Sequence, residues 1–287
     1  MDIKNINLNE ETEYRIQDDS EIKYDKKTRQ LYWDIAIGLN DVDNLKPSEY
    51  FKALIHDNVE GHKNNYEIEY AIKEYYKEKL ARQSVNESEM QCDLVSLRIK
   101  ELLDDESFTF SPITLKSIHK HLFKDVFDFA GKFRDYNISK DEIILNGDTV
   151  KYTNYDMIDD TLSYDFSEEK KFNYSKLTLS QQIDRLMEFI SSIWQVHPFG
   201  EGNTRTTAVF LQKYLASKGY KVTNDSFKEN SLYFRNALVR ANYANYPKGV
   251  YPEFKYLRLF MENLLMNKNH ELKNRNLLVE ELFDEKI

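Results

Sequence analysis

Cysteine is almost missing: Cys92 is the single one in 287 residues, which excludes an internal disulfide framework and any multi-cysteine metal site. A reducing compartment suits that usage, and Cys92 itself reads as a small buried residue. Glycine and proline are scarce too, at eight and five, so the chain holds few of the residues that interrupt regular structure. Nowhere do the roughly 18 uninterrupted apolar residues of a membrane span occur. The polar, acidic start, MDIKNINLNEETEYRIQDDSEIKYD, has no apolar signal core, and the expectation is a cytoplasmic chain. Basic residues are outnumbered, 40 Lys and Arg against 49 Asp and Glu, for a formal charge of −9. Binders of nucleic-acid backbones depend on the opposite balance, so that class is disfavoured while a local cationic pocket remains open.

What is present is a core-forming, helix-forming chain, with 41% apolar residues and 31% charged. Residues 1–30 are polar and read as loosely ordered. Gln30-Leu31-Tyr32-Trp33 begins a helical stretch that Lys46-Pro47-Ser48 interrupts, and Pro47 suits a helix start. Tyr50, Phe51, Leu54 and Ile55 then share one helical face up to Glu60-Gly61, and Ile68, Ala71, Ile72 and Tyr75 repeat the spacing. The polar segment 83–91 divides a small helical N-terminal unit, 1–85, from a main domain, 86–266, with an acidic helical tail at 267–287. In the main domain, Leu94, Leu97, Ile99, Leu102 and Leu103 mark one amphipathic helix. Ser111-Pro112 opens another, carrying Leu115, Ile118, His119 and Leu122. The fold class is all-α. One region differs: around 131–152, Phe133, Tyr136, Ile138, Ile143, Ile144 and Val150 are β-formers, and Asn146-Gly147 is a hairpin turn signal, because both residues tolerate positive φ. A small β-hairpin leaning on the helical body is expected there. It reads either as a plain connection or as an exposed edge.

The densest chemistry lies in HPFGEGNTR, His197 to Arg205. Thr178 and Gln181 resemble a capping box, and Ile183, Leu186, Met187, Ile190, Ile193 and Trp194 follow at helical spacing. Pro198 biases His197 out of the helix, and a second helical pattern runs from Thr206 to Ser217. The nine residues therefore form a loop between two core helices. A glycine-bearing loop feeding a helix start aims unpaired N–H groups and the positive helix end at one point, which suits an anion. Gly200 and Gly202 allow close backbone approach, and the planar fork of Arg205 suits phosphate oxygens. Glu201 would repel phosphate unless a cation such as Mg²⁺ lay between them. His197 is placed to accept a proton near neutral pH. Base, metal ligand, anion nest and arginine together describe phosphoryl or nucleotidyl transfer.

HPFGEGNTR resembles the signature of the Fic family, His-Pro-Phe-x-Asp/Glu-Gly-Asn-x-Arg. The resemblance implies a Fic-type helical bundle with a hairpin flap, and transfer of AMP from ATP to a hydroxyl side chain of a target protein with release of pyrophosphate. By position, His197 matches the general base, Phe199 a core anchor and Glu201 the Mg²⁺ ligand. Gly200, Gly202, Asn203 and Thr204 match the phosphate nest, and Arg205 a phosphate-binding arginine. The segment Ile144, Leu145, Asn146, Gly147, Asp148, Thr149, Val150 and Lys151 matches the flap, which docks the target by adding a strand. Tyr233, Phe234 and Asn242, in SLYFRNALVRAN, match the stretch that lines the nucleoside, against a plain core-packing reading.

Two positions depart from the pattern. Many members carry a second arginine where this chain has Ala208, a loss on the order of 1.5–3 kcal/mol of charged contact unless Arg240 or another residue substitutes. Position 204 is Thr, where nucleotidyl-transferring members usually have Gly and a kinase-like branch has Lys. AMP transfer stays ahead of phosphorylation or another donor. In the N-terminal unit, Glu60-Gly61 echoes the end of the family's inhibitory helix motif without its hydroxyl residue, so Glu60 is not expected to inhibit strongly. The paired short helices resemble the antitoxin-like companions of Fic toxins, as a fused regulatory or docking module. A rival reading is a toxin-like interaction module with a degenerate nucleotide site.

Overall fold

The computed structural model describes residues 24–222 and 226–283. The expectation of loose order for residues 1–30 falls mostly outside them, although residues from Lys26 on are helical. Helix α1 (Lys26–Asn40) leads through a 3₁₀ turn, Asp41–Asp43, to α2 (Glu49–Glu60) and α3 (Asn65–Ala81). Ser48 caps α2 by accepting from Phe51 N–H, and Asn64 with Glu67 forms a capping box on α3. Helices α4 (Glu87–Asp104) and α5 (Pro112–Phe123) follow, the latter with Pro at its first turn. After an irregular stretch come α6 (Ile158–Lys171), α7 (Leu179–Val196), α8 (Asn203–Ser217), α9 (Ser226–Asn242) and α10 (Lys255–Met266).

Helix α8 stands at the centre. Every residue from Asn203 to Leu215 is buried, which explains its weak amphipathic signal, since a helix walled in on all sides has no polar face. It packs against α5, α7, α4 and α1. Helix α1 lies on α4 and α9, and Trp33, fully buried, donates from its indole to Asn58 Oδ1 at 2.8 Å. Buried Asp93 on α4 ties three helices together. It accepts from Ser48 N–H at 2.9 Å, Ser48 O–H at 2.6 Å and Tyr76 O–H at 2.5 Å. Cys92 is buried, as its composition implies.

The hairpin expected around 144–151 does not form: no strand occurs in that segment. Asn146 and Gly147 do reverse the chain with positive φ, +52° and +83°, but they follow a 3₁₀ turn, Ile143–Leu145. The loop closes with Glu142 N–H on Asp148 O at 3.0 Å. A strand alternates its side chains between two faces, whereas Ile144 and Leu145 are consecutive and both buried, with Ile143 87% exposed before them. The Ile144 carbonyl is already taken by Val279 N–H at 3.0 Å. Residues 267–283 are mostly irregular, with a 3₁₀ turn, Asn274–Leu277, and one helical turn, α11 (Glu280–Phe283). Among the described residues, no helix is long and apolar enough to cross a membrane.

Candidate active site

The loop between α7 and α8 is held by three side chains, Arg134, Asn203 and His119. His197 ends α7 in the left-handed region, φ +48°, a conformation that costs a non-glycine residue energy and persists only where the surroundings enforce it. Arg134 enforces it: its Nε donates to His197 O at 2.9 Å, Nη1 to Tyr136 O at 2.7 Å and Nη2 to Val196 O at 3.3 Å. Asn203 clamps the loop from inside, accepting from Phe199 N–H at 3.0 Å and donating to Phe199 O at 2.8 Å. His119 on α5 stacks on Phe199 with centroids 3.7 Å apart and holds the Glu201 carbonyl at 3.0 Å. Phe199 is itself fully buried.

Each histidine has one defined tautomer. A carbonyl can only accept, so His119 Nε2 carries the proton given to Glu201 O, while its Nδ1 accepts from Gly131 N–H at 2.8 Å. Burial pushes His119 down to about 4. By the same argument His197 Nδ1 donates to Trp194 O at 3.2 Å, which leaves the Nε2 lone pair free to accept. Its ring packs on Tyr152, centroids 4.2 Å apart. Burial first, against the Trp194 hydrogen bond and with Lys140 and Arg235 adding positive charge, pushes His197 down to about 3. The imidazole is therefore neutral at physiological pH, the state a proton acceptor needs.

The two loop glycines are required by space. A Cβ on Gly202, at φ +78°, would lie 2.4 Å from the Phe123 ring, and one on Gly200 would lie 2.7 Å from Tyr136 Oη. Thr204 Oγ1 accepts from the Trp194 indole at 3.0 Å. Glu201 is solvent-exposed beside the N-terminus of α8. A small cavity of about 10 Å³ opens there, lined by His197, Glu201, Gly202, Asn203 and Thr204 together with Asp43, Lys140 and Arg235. It adjoins a groove of about 440 Å³ that shares Lys140 and Arg235 and runs along Glu142, Ile144 and Leu232. Another groove, about 450 Å³, lies between α1 and the end of α8 and contains no motif residue.

Several expected site residues sit elsewhere. Arg205 is 1% exposed and turned away from the cavity lining: Nη1 donates to Asn40 Oδ1 at 3.0 Å, and Nη2 lies 2.9 Å from Asp43 Oδ2. That ion pair is close but misaligned for a hydrogen bond, and Nε is also without an acceptor. Tyr233 and Phe234 are core residues, 1% and 0% exposed, with Phe234 packed on Phe227 and Phe260. Asn242 donates to Ser191 Oγ at 2.9 Å. Arg240, a candidate substitute for the missing arginine, pairs with Glu253 and the Leu277 carbonyl. Glu60 pairs with Lys26 at 2.6 Å, at the end of α2. In the loop 144–151, Asp148 accepts from Tyr243 O–H at 2.6 Å, Asn146 donates to Leu282 O, Thr149 Oγ1 accepts from Lys140 N–H and Lys151 O accepts from Gln195. Sequence reasoning missed Arg134, Lys140, Arg235 and Asp43. Arg134, in GKFR, carried the one available signal, a basic residue among β-formers.

The Fic/DOC family model matches residues 109–215. This segment is a Fic domain. Protein adenylyltransferase VbhT of Bartonella schoenbuchensis is 28% identical over 131 residues, 46% of this chain and 26% of that protein. The probable protein adenylyltransferase y4lH of Sinorhizobium fredii is 29% identical over 146 residues, 50% of this chain and 70% of that one. The matched part thus spans about a quarter of VbhT's length. The N-terminal Fic domain of the Bep8 effector from Bartonella sp. 1-1C, a solved structure, is 18% identical and covers 67% of this chain and 92% of its own, with a TM-score of 0.49. The matched segment begins before α5 and ends within α8, so it contains the whole loop and its Arg134 clamp.

Proposed function

We propose that this Fic domain transfers AMP from ATP to a Ser, Thr or Tyr hydroxyl of a target protein, releasing pyrophosphate. The observation that carries the reading is the fixed tautomer of His197, whose Nε2 is an unprotonated acceptor in the same cavity as Glu201 and the N-terminal amides of α8. In the transfer, the target hydroxyl oxygen bonds to the α-phosphorus and the bond from that phosphorus to the bridging oxygen breaks. The hydroxyl proton goes to His197 Nε2, and the electron pair leaves with pyrophosphate. The helix N-terminus stabilises charge building on phosphate oxygens.

Mg²⁺ fits this donor set. Among the described residues no three His, Cys, Asp or Glu side chains cluster as a protein-only metal cage, but Mg²⁺ is commonly held by one carboxylate plus substrate phosphates, and Glu201 is such a lone carboxylate. Bound there, the ion would offset the charge of the leaving pyrophosphate. The target segment would lie along residues 144–151, beside which exposed Ile143 offers an apolar contact.

The test is intact-protein mass spectrometry after incubation with Mg²⁺ and ATP, GTP, UTP or CTP, alone and with lysate. His197→Asn serves as control, since Asn tolerates the left-handed backbone. A nucleoside-monophosphate increment absent in the variant supports the reading and names the donor. A single-phosphate increment moves the domain to phosphoryl transfer. No His197-dependent increment with any donor sinks transferase activity and favours the interaction-module reading, which the small cavity and the sequestered Arg205 also suit.

A further inference from the structure

We propose that Lys140 and Arg235, and not the motif arginine Arg205, are the cations that grip the phosphates at this site. The inference rests on the nucleotide reading above and adds residues that the signature does not contain.

Arg205 is the wrong group by geometry. Its guanidinium is buried against Asn40 and Asp43, with the Phe123 ring 4.8 Å from its centre, and it does not line the cavity. Ala208, at the position of the family's second arginine, is fully buried and brings no charge. The motif helix therefore supplies amide dipoles to an anion but no free positive side chain.

Two other elements supply positive side chains that line the cavity. Arg235 comes from α9 and Lys140 from the approach to the loop 144–151, and among the described residues they are the only Lys or Arg lining the cavity. Both also line the 440 Å³ groove. A polyphosphate that starts at the N-terminus of α8 and extends into that groove must pass them. Both also add positive charge at His197, one reason beyond burial that its imidazole is neutral.

The two cations are held differently. Arg235 Nη2 lies 2.8 Å from each carboxylate oxygen of Glu142, and that ion pair is nearly dry, with side chains 12% and 1% exposed. A guanidinium already ordered against a carboxylate can exchange it for phosphate oxygens of similar geometry at small reorganisation cost. Lys140 is half-buried, and its ammonium makes no ion pair among the described residues. The cavity also holds the carboxylates of Asp43 and Glu201. Asp43 is committed to Arg205, which leaves Glu201 facing the two cations.

Calorimetric titration of the full chain with ATP, AMP and inorganic tripolyphosphate, at fixed Mg²⁺, tests this. Arg235→Gln is expected to weaken ATP and tripolyphosphate at least tenfold while AMP changes less than threefold, and Arg235→Lys to recover part of the loss. Lys140→Met is expected to act in the same direction. Because Arg235→Gln leaves Glu142 buried and unpaired, the double variant Arg235→Gln, Glu142→Gln provides a neutral pair of the same shape should the single variant misfold. Wild-type ATP affinity in the double variant and in Lys140→Met overturns the inference, as does an equal loss of ATP and AMP. Tripolyphosphate binding that depends on Arg235, without ATP binding, supports the anion grip and sinks the nucleotide reading. A wild-type chain that binds none of the three ligands overturns both.

Discussion

The Arg205 guanidinium on α8 and the Asp43 carboxylate between α1 and α2 lie 2.9 Å apart, with the arginine side chain 1% exposed and the aspartate 25%. Removing the aspartate strands a buried cation. For a fully buried pair that costs about 3–5 kcal/mol, and partial exposure of Asp43 lowers the expectation to about 2 kcal/mol. Asp43→Ala should therefore melt several degrees lower in differential scanning fluorimetry. Mg²⁺ with ATP should raise its melting temperature more than that of the wild type, because a carboxylate lining the cavity no longer repels the phosphates. An equal ligand shift in both proteins would show that Asp43 does not compete with the anion.

Thr204 accepts the indole proton of Trp194, whose ring meets His197 edge-on. Thr204→Val keeps the shape and removes the acceptor, leaving a buried N–H unpaired at a cost of about 1–3 kcal/mol. Urea denaturation should register that loss, while Thr204→Ser stays near wild type.

Arg134 donates to the backbone carbonyls of Val196 and His197 and to that of Tyr136 across the loop, and so acts on the base through the chain. In Arg134→Gln, turnover should fall by tenfold or more, with nucleotide affinity held within a factor of three. Arg134→Lys should not restore it, because one ammonium cannot span three carbonyl directions. A loss of affinity equal to the loss of turnover would assign Arg134 to general folding.

Acid should destabilise the fold from the neutral side. His197 and His119, pushed down to about 3 and about 4 by burial, stay neutral when folded but gain protons near pH 6.5 when unfolded. The stability this difference carries is complete above about pH 6.5 and is lost as pH falls towards 4 and 3. Asp93, lifted to about 6 by burial, opposes them: its penalty on the fold is present above pH 6 and fades as pH falls towards its unfolded value of 3.8. Asp165, also lifted to about 6 by burial, adds a second opposing carboxyl. The two histidines lose their contribution from about pH 6.5 downward and the two aspartates respond only from about 6, so a modest net drop in melting temperature is expected between pH 7 and 5. His119→Gln should flatten that profile.

The sequence made the helical caps and the loop readable because both depend on neighbours in the chain. Ser48, Ser111 and Thr178 each cap a helix within three residues of themselves, and the nine-residue motif is contiguous. The loop 144–151 was misread as a hairpin because Asn146-Gly147 fixes a turn but not what flanks it. Burial of two consecutive side chains and capture of the Ile144 carbonyl by Val279 were tertiary decisions. The partners of the motif were equally hidden. Asn40 and Asp43 meet Arg205, and Glu142 meets Arg235, across long stretches of sequence. No local pattern marks a residue whose significance is the atom opposite it.

The burial of α8 on every side also bears on how such a site can change over generations. Substitution along Asn203–Leu215 disturbs the packing of the whole body before it alters what binds. Heritable variation in ligand preference is left three adjustable walls, the loop that carries Lys140 and Glu142, the α9 face that carries Arg235 and Leu232, and the C-terminal segment that carries Asn274 and Arg275. A lineage can rework those walls residue by residue while the pillar between them stays fixed.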